Sequence, residues 1–126
     1  MIRALAYPVA LGFALLATPS LAEWGGVAVH AGKATYGYSA GWDSKRDAEQ
    51  RAMFYCRQFA GSQSGCQVVM TTRQCGGVAR GTGSNGRQLV VAEARARGTA
   101  GDKALAACQS RLSNCEFVRN FCASDN

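Results

Sequence analysis

Apolar side chains recur along this chain in two rhythms. Ala48, Ala52, Tyr55, Cys56 and Phe59 fall at i, i+4, i+7, i+8 and i+11, one continuous helical stripe facing a core, with Asp43 or Ser44 placed to cap its start. Ahead of that stripe, Val27 and Val29 alternate with small residues, Ala31-Gly32-Lys33 offers a turn, and Tyr36 and Tyr38 alternate again, which is the period of two strands. Further on, Ala100, Ala104, Ala107 and Cys108 form a second helical face with Thr99 as its cap. Before it, Gly81 to Arg87 reads as a turn and Gln88 to Ala94, rich in valine and leucine, as a strand. A short apolar strand follows each helix, opened and closed by cysteines: Cys66 to Cys75, then Cys115 to Cys122.

These elements come in the same order twice. Gly25-Gly26-Val27-Ala28 recurs as Gly76-Gly77-Val78-Ala79, and the two helical faces are related by a constant shift of 52 positions, 48 to 100 and 56 to 108. The pattern predicts an α+β fold of two pseudo-symmetric β-β-α-β halves, residues about 23–75 and 76–126, with the helices packed on a largely antiparallel sheet.

Met1 to Ala22 has the layout of a cleavable export signal, with Arg3 as the basic start, an apolar run from Ala4 to Ala17, and small residues at Ser20-Leu21-Ala22. That run of about 14 residues falls short of the roughly 20 needed to span a bilayer, and Pro8 interrupts it. The expectation is cleavage between Ala22 and Glu23, a secreted or periplasmic product without stable membrane insertion, and one domain from 23 to 126. Removing Arg3 lowers the formal charge from +6 to +5, which favours anionic partners without naming one.

Six cysteines in a small exported domain imply a disulfide framework. If Cys66 and Cys75 bound one extended strand they would lie about 30 Å apart, and Cys115 and Cys122 about 23 Å, against the roughly 4.4–6.8 Å between bridged Cα atoms. Each helix cysteine can instead reach the cysteine opening the following strand, giving Cys56–Cys66 and Cys108–Cys115. Cys75 is left for Cys122, as a staple joining the ends of the two equivalent strands. Zinc or thiol chemistry is the weaker reading, because there is no Cys-x-x-Cys and His30 is the sole histidine.

The run Trp24-Gly25-Gly26-Val27-Ala28, then Tyr36-Gly37-Tyr38-Ser39, then Ser44 and Ala48-Glu49 ahead of Cys56, resembles the bacterial family called domain of unknown function 4189. Ala104-Leu105-Ala106-Ala107-Cys108 is similar to that family's second helix, although Leu89-Val90-Val91-Ala92 stands where the first half has its Gly-Tyr-Ser segment. The resemblance implies an exported, cysteine-stapled domain and brings no catalytic residues.

Catalysis would have to start from His30, oriented by Asp43, Asp47 or Glu49 and acting on Ser39 or a tyrosine, and nothing in the spacing forces such a meeting. The three carboxylates cluster at the first helix start, where they offset its dipole. Gly81 to Gly86 lacks the lysine and following helix of a phosphate loop. Tyr36, Tyr38 and Trp42 are the candidate binding surface, weighed against burial of Trp24 and at least one tyrosine in the core. Lys45, Arg46, Arg51, Arg57, Arg95 and Arg97 read as a solvated basic surface. The sequence therefore favours a non-enzymatic module without cofactor or metal that binds a protein or cell-envelope macromolecule, with nucleic acid less favoured. An inhibitor or immunity-type protein is a form of the same class, and a small hydrolase centred on His30 is the alternative.

Overall fold

Val27 and Val29 point to one side of an extended chain and Gly26 and Ala28 to the other, and that alternation sets the layering of the whole molecule. The computed structural model describes residues 23–125, so the export signal expected at Met1 to Ala22 lies outside the described residues. Strand β1 (Trp24–His30) pairs antiparallel with β2 (Thr35–Trp42) across a single 3-10 turn at Ala31–Lys33. Helix α1 (Lys45–Ala60) follows, and β3 (Cys66–Thr72) returns antiparallel on the other side of β1. The second half repeats the scheme with β4 (Cys75–Gly83), β5 (Gly86–Ala94), α2 (Arg97–Arg111) and β6 (Ser113–Cys122), where β4 is central. Even the irregularity recurs, because the register slips between Val27 and Ala28 in one half and between Val78 and Ala79 in the other.

Two separate three-stranded sheets stand where the sequence suggested one. Val27, Val78 and Phe121 form the cluster between them, joined by Tyr36, Tyr38 and Met70 from the first half and Val91 from the second. On the outer faces Ala28 packs against Ala52 and Cys56 of α1, and Ala79 against Ala104 and Cys108 of α2. The layers therefore run α1, first sheet, second sheet, α2.

The helices lie unusually close to their sheets. A Cβ on Gly37 would run into the backbone of Ala52 and Cys56, and one on Gly77 into the carbonyl of Ala100. Such a seam accepts only small side chains, so the buried helix rows are Ala48, Ala52, Cys56, Ala60 and Ala100, Ala104, Cys108. Phe59, expected in the first stripe, is 67% exposed and Ala60 holds the buried place, while Tyr55 is half-buried. Trp24 is likewise half-buried, with the Arg73 guanidinium 4.4 Å from its ring centre.

The helix ends differ between the halves. Ser44 accepts a hydrogen bond from the Asp47 N–H at 3.1 Å, and Gly61, at φ 63°, closes α1 by donating to the Gln58 carbonyl while Ser62 N–H donates to Arg57. In α2 the cap is Ala96, not Thr99, which lies inside the first turn. The shift of 52 that relates the helices carries Ser44 onto Ala96, and the missing hydroxyl there hid the true start. Ala96 already has the extended backbone of a cap (φ −115°, ψ 146°), so Ala96→Ser should stabilise the protein by about 1 kcal/mol in urea denaturation. A variant no more stable than the parent would contradict this account of the helix start. The second turn is also tighter than expected: strand pairing continues to Gly83 and Gly86, leaving Ser84-Asn85 as the connection rather than Gly81 to Arg87.

All six cysteines are bridged, Cys56 to Cys66, Cys108 to Cys115 and Cys75 to Cys122. These are the pairs that strand geometry selects, but the third plays a different part from the one expected. Cys75 does not end β3; it opens β4 and sits directly opposite Cys122 in the β4–β6 ladder, so this staple lies within the second sheet. The halves are tied instead by the cluster around Phe121 and by Ala123, whose N–H donates to Gln74 O at 2.7 Å and whose carbonyl accepts from Gly41 N at 2.9 Å.

Candidate functional site at the edge of the first sheet

Strand β2 is an edge strand, hydrogen-bonded to β1 on one side only. Its side chains divide by the pleat. Gly37 and Ser39 turn to α1, where the Ser39 hydroxyl donates to the Ala48 carbonyl at 2.6 Å. Tyr36 and Tyr38 turn to the second sheet, where Tyr38 packs 5.1 Å from the Phe121 ring.

Arg119, on β6, closes this side. Its Nε donates to the Tyr36 hydroxyl at 3.1 Å and its Nη1 to the Tyr38 hydroxyl at 3.0 Å, with the guanidinium 4.8 Å from the Tyr38 ring centre. The hydrogen bond to Tyr36 is the main influence raising the Arg119 pKa above its ordinary value, and no carboxylate among the described residues pairs with this side chain.

On the other side of the β2 edge, Arg51, Tyr55 and Phe59 form an i, i+4, i+8 row along α1. The Arg51 guanidinium lies 5.3 Å from the Trp42 ring centre and 5.5 Å from those of Phe54 and Tyr55. Tyr55 and Phe59 stack at 6.4 Å. Between this ridge and β2 runs a cleft of about 470 Å³, lined by Tyr38, Trp42, Arg51, Tyr55, Phe59 and, at its far wall, Asp125. A second cleft continues past Phe59 and Tyr38 to Tyr36 and Arg119.

Asp125 is held in place by Arg97, whose two terminal nitrogens donate to its carboxylate at 2.9 and 2.6 Å, and by the Cys122 N–H at 2.8 Å. The Arg97 hydrogen bonds are the main cause that keeps this carboxyl below its ordinary pKa of 3.8, so its stabilising effect is full above that value and disappears as pH falls through the lower folded one. The pair is partly exposed and the effect is correspondingly screened. Asp125→Asn should therefore be less stable than the parent at pH 7, and the two should converge in acid when urea midpoints are compared. A difference that stays constant down to pH 2 would contradict the assignment.

The candidate surface of Tyr36, Tyr38 and Trp42 thus maps onto one strand, but not as a free platform. All three are half-buried, the two tyrosines belong to the cluster between the sheets, and Trp42 lies under Arg51. Sequence reasoning placed Arg51 in the basic surface without joining it to the aromatic strand, and missed Tyr55, Phe59 and Arg119 as site residues. The spacing of Arg51, Tyr55 and Phe59 was a usable signal, had it been read as an outward ridge; Arg119 comes from the other half of the chain and carried none.

The residues of a hydrolase reading are not brought together. His30 ends β1 opposite Thr35, whereas Asp43, Asp47 and Glu49 follow Trp42 at the other end of β2, a separation of about 23 Å along the strand. Glu49 accepts from the Thr71 hydroxyl at 2.9 Å, and the Ser39 hydroxyl is engaged by Ala48. Among the described residues no cluster of three or more His, Cys, Asp or Glu side chains is arranged to hold a metal, and no helix is long and apolar enough to cross a membrane.

Fold and site together define a small, internally duplicated, disulfide-stapled α+β domain with an aromatic cleft beside one sheet edge. The family model described as Domain of unknown function (DUF4189) matches residues 24–122, spanning both halves, and the chain belongs to that family. No curated protein and no solved structure matches the chain.

Proposed function

We propose that the protein is an exported, non-enzymatic module that binds another macromolecule, at the cell envelope or outside the cell, through the cleft between β2 and α1. The observation that carries this reading is the ridge itself: Phe59, 67% exposed, lines one cleft with a half-buried Trp42, and Arg51 lies over three rings with no carboxylate paired to it among the described residues. Large rings and an arginine at the rim of a concave surface are the side chains that dominate protein recognition. Export is supported by the bridging of all six cysteines, which suits an oxidising compartment, and by the leader-like composition of Met1 to Ala22.

The test is capture from the envelope and culture-medium fractions of the source cells by the immobilised oxidised protein. Trp42→Ala and Phe59→Ala should each lower retention of the captured partner about tenfold or more while the circular dichroism spectrum is unchanged. Retention equal to that of the parent in both variants would overturn the proposal.

A further inference from the structure

An edge strand presents a row of peptide N–H and C=O groups that its own sheet does not use, and proteins ordinarily blunt such an edge with charge, a bulge or a covering element. From Thr35 to Ala40 no backbone hydrogen bond outside the β1 ladder reaches β2 among the described residues, and the register slip in this pairing falls at the far end of the stretch, opposite Gly25. The chain's own C-terminal segment makes its backbone hydrogen bond to β2 beyond this stretch, at Gly41, while the Asp125 side chain lines the cleft. Instead of a cover there is a groove, with the Tyr55–Phe59 stack on the α1 side and Arg119 over Tyr36 and Tyr38 on the other.

We infer that this groove takes an extended acidic polypeptide segment, which adds to the outer edge of β2 as a further strand. The inference rests on the binding role proposed above and names the chemistry of the partner. Three features select a polypeptide. The outer main chain of β2, which no second strand pairs, repeats with the period of another extended chain, so each pair of residues added can exchange hydrogen bonds with it. Six residues of edge, about 20 Å, match a short segment. The walls lie on opposite faces of the edge, so alternate side chains of the added strand would meet the aromatic ridge on one face and Arg119 on the other.

Charge complementarity selects acidic side chains. Arg51 and Arg119 stand at the two clefts with no carboxylate partner among the described residues, whereas Arg80, Arg87 and Arg97 are already paired with Glu116 or Asp125. The hydroxyls of a glycan do not repeat with the period of a strand and so would not match this edge along its length, and the one serine hydroxyl lining the first cleft, Ser39, is already engaged by Ala48.

The probe is a capped heptapeptide of alternating glutamate and valine, titrated into the isotope-labelled oxidised protein and followed by amide shifts. Saturable shifts should centre on β2 and the Arg51–Phe59 row. The glutamates share one face of the extended peptide, so Arg119→Gln should weaken binding about fivefold to tenfold, the size of one charge-assisted hydrogen bond, while Arg51→Gln, on the valine face, should change it less than about twofold. Two further peptides carry N-methyl groups, one on the glutamates and the other on the valines. Only the peptide methylated on the residues that pair with β2 should lose binding, while the other keeps it. No saturable binding, shifts centred on the edge of β3, β5 or β6, or equal binding by both methylated peptides would overturn the inference. If a partner is captured from the cell fractions and lost with Trp42→Ala and Phe59→Ala, but the peptides fail, strand addition falls and the binding role stands. If that capture fails too, both fall.

Discussion

Gly77→Ala is expected to destabilise the protein by about 3 kcal/mol or more, and Gly37→Ala by a similar amount. The new methyl group would meet helix backbone in both cases, Ala100 and Gly101 beside Gly77 and Ala52 and Cys56 beside Gly37. Backbone cannot rotate out of the way as a flexible side chain can, so the helix must lift off its sheet and the alanine seam beneath it opens. A domain of this size has roughly 5–15 kcal/mol of stability in total, which makes the change easy to see in urea denaturation. Gly98→Ala is the control. That glycine lies in the first turn of α2 with open space around it, and alanine there should add about 0.5–1 kcal/mol. If Gly77→Ala and Gly98→Ala behaved alike, the close approach of helix and sheet would be wrong.

Removal of the Cys75–Cys122 bridge by the double alanine variant is expected to cost about 4 kcal/mol, against about 3 kcal/mol or less for either local bridge. The difference comes from the chain between the paired residues, 47 positions here compared with 10 and 7, because a longer loop gains more freedom when the unfolded chain is released. Thermal unfolding of the three double variants measures the order directly. The same position in the first half shows how much a covalent bond replaces: Trp24 and Arg73 lie at the corresponding end of β1 and β3, held by a ring and a guanidinium rather than by sulfur. A Cys75/Cys122 variant no less stable than the Cys108/Cys115 one would show that chain entropy is not what this bridge contributes.

The duplication was legible because each half must solve the same packing problem. Gly-Gly-Val-Ala is needed twice: the second glycine and the alanine face a helix, and the valine faces the other sheet. The helices were legible from period alone, yet Phe59 was assigned to the wrong side. Hydrophobic periodicity weights a phenylalanine above an alanine, whereas it is the small Ala60 that packs with Ala28, Cys56 and Cys66 in the narrow layer beneath α1. Thr99 reads as a cap because threonine is a good capping residue, whereas Ala96, which holds the position, has no side-chain acceptor to announce it. Within the candidate site Tyr36, Tyr38 and Trp42 were found from their alternation and size. Arg119 was not, since 81 residues separate it from Tyr38.

From its residues alone, the chain dictates local matters: which stretches are strand or helix, where each helix cysteine finds its neighbour, and that the pattern occurs twice. These follow from period, cap chemistry and the reach of a few residues, all of which act over short sequence distance. Only the tertiary structure decided that the two sheets stack face to face, that Cys75 belongs to β4 and bonds across its own ladder, and that Phe59 faces solvent beside an open strand edge. Each of these depends on groups far apart in sequence meeting at a distance set by excluded volume, and hydrophobic pattern carries no information about how closely two surfaces can approach.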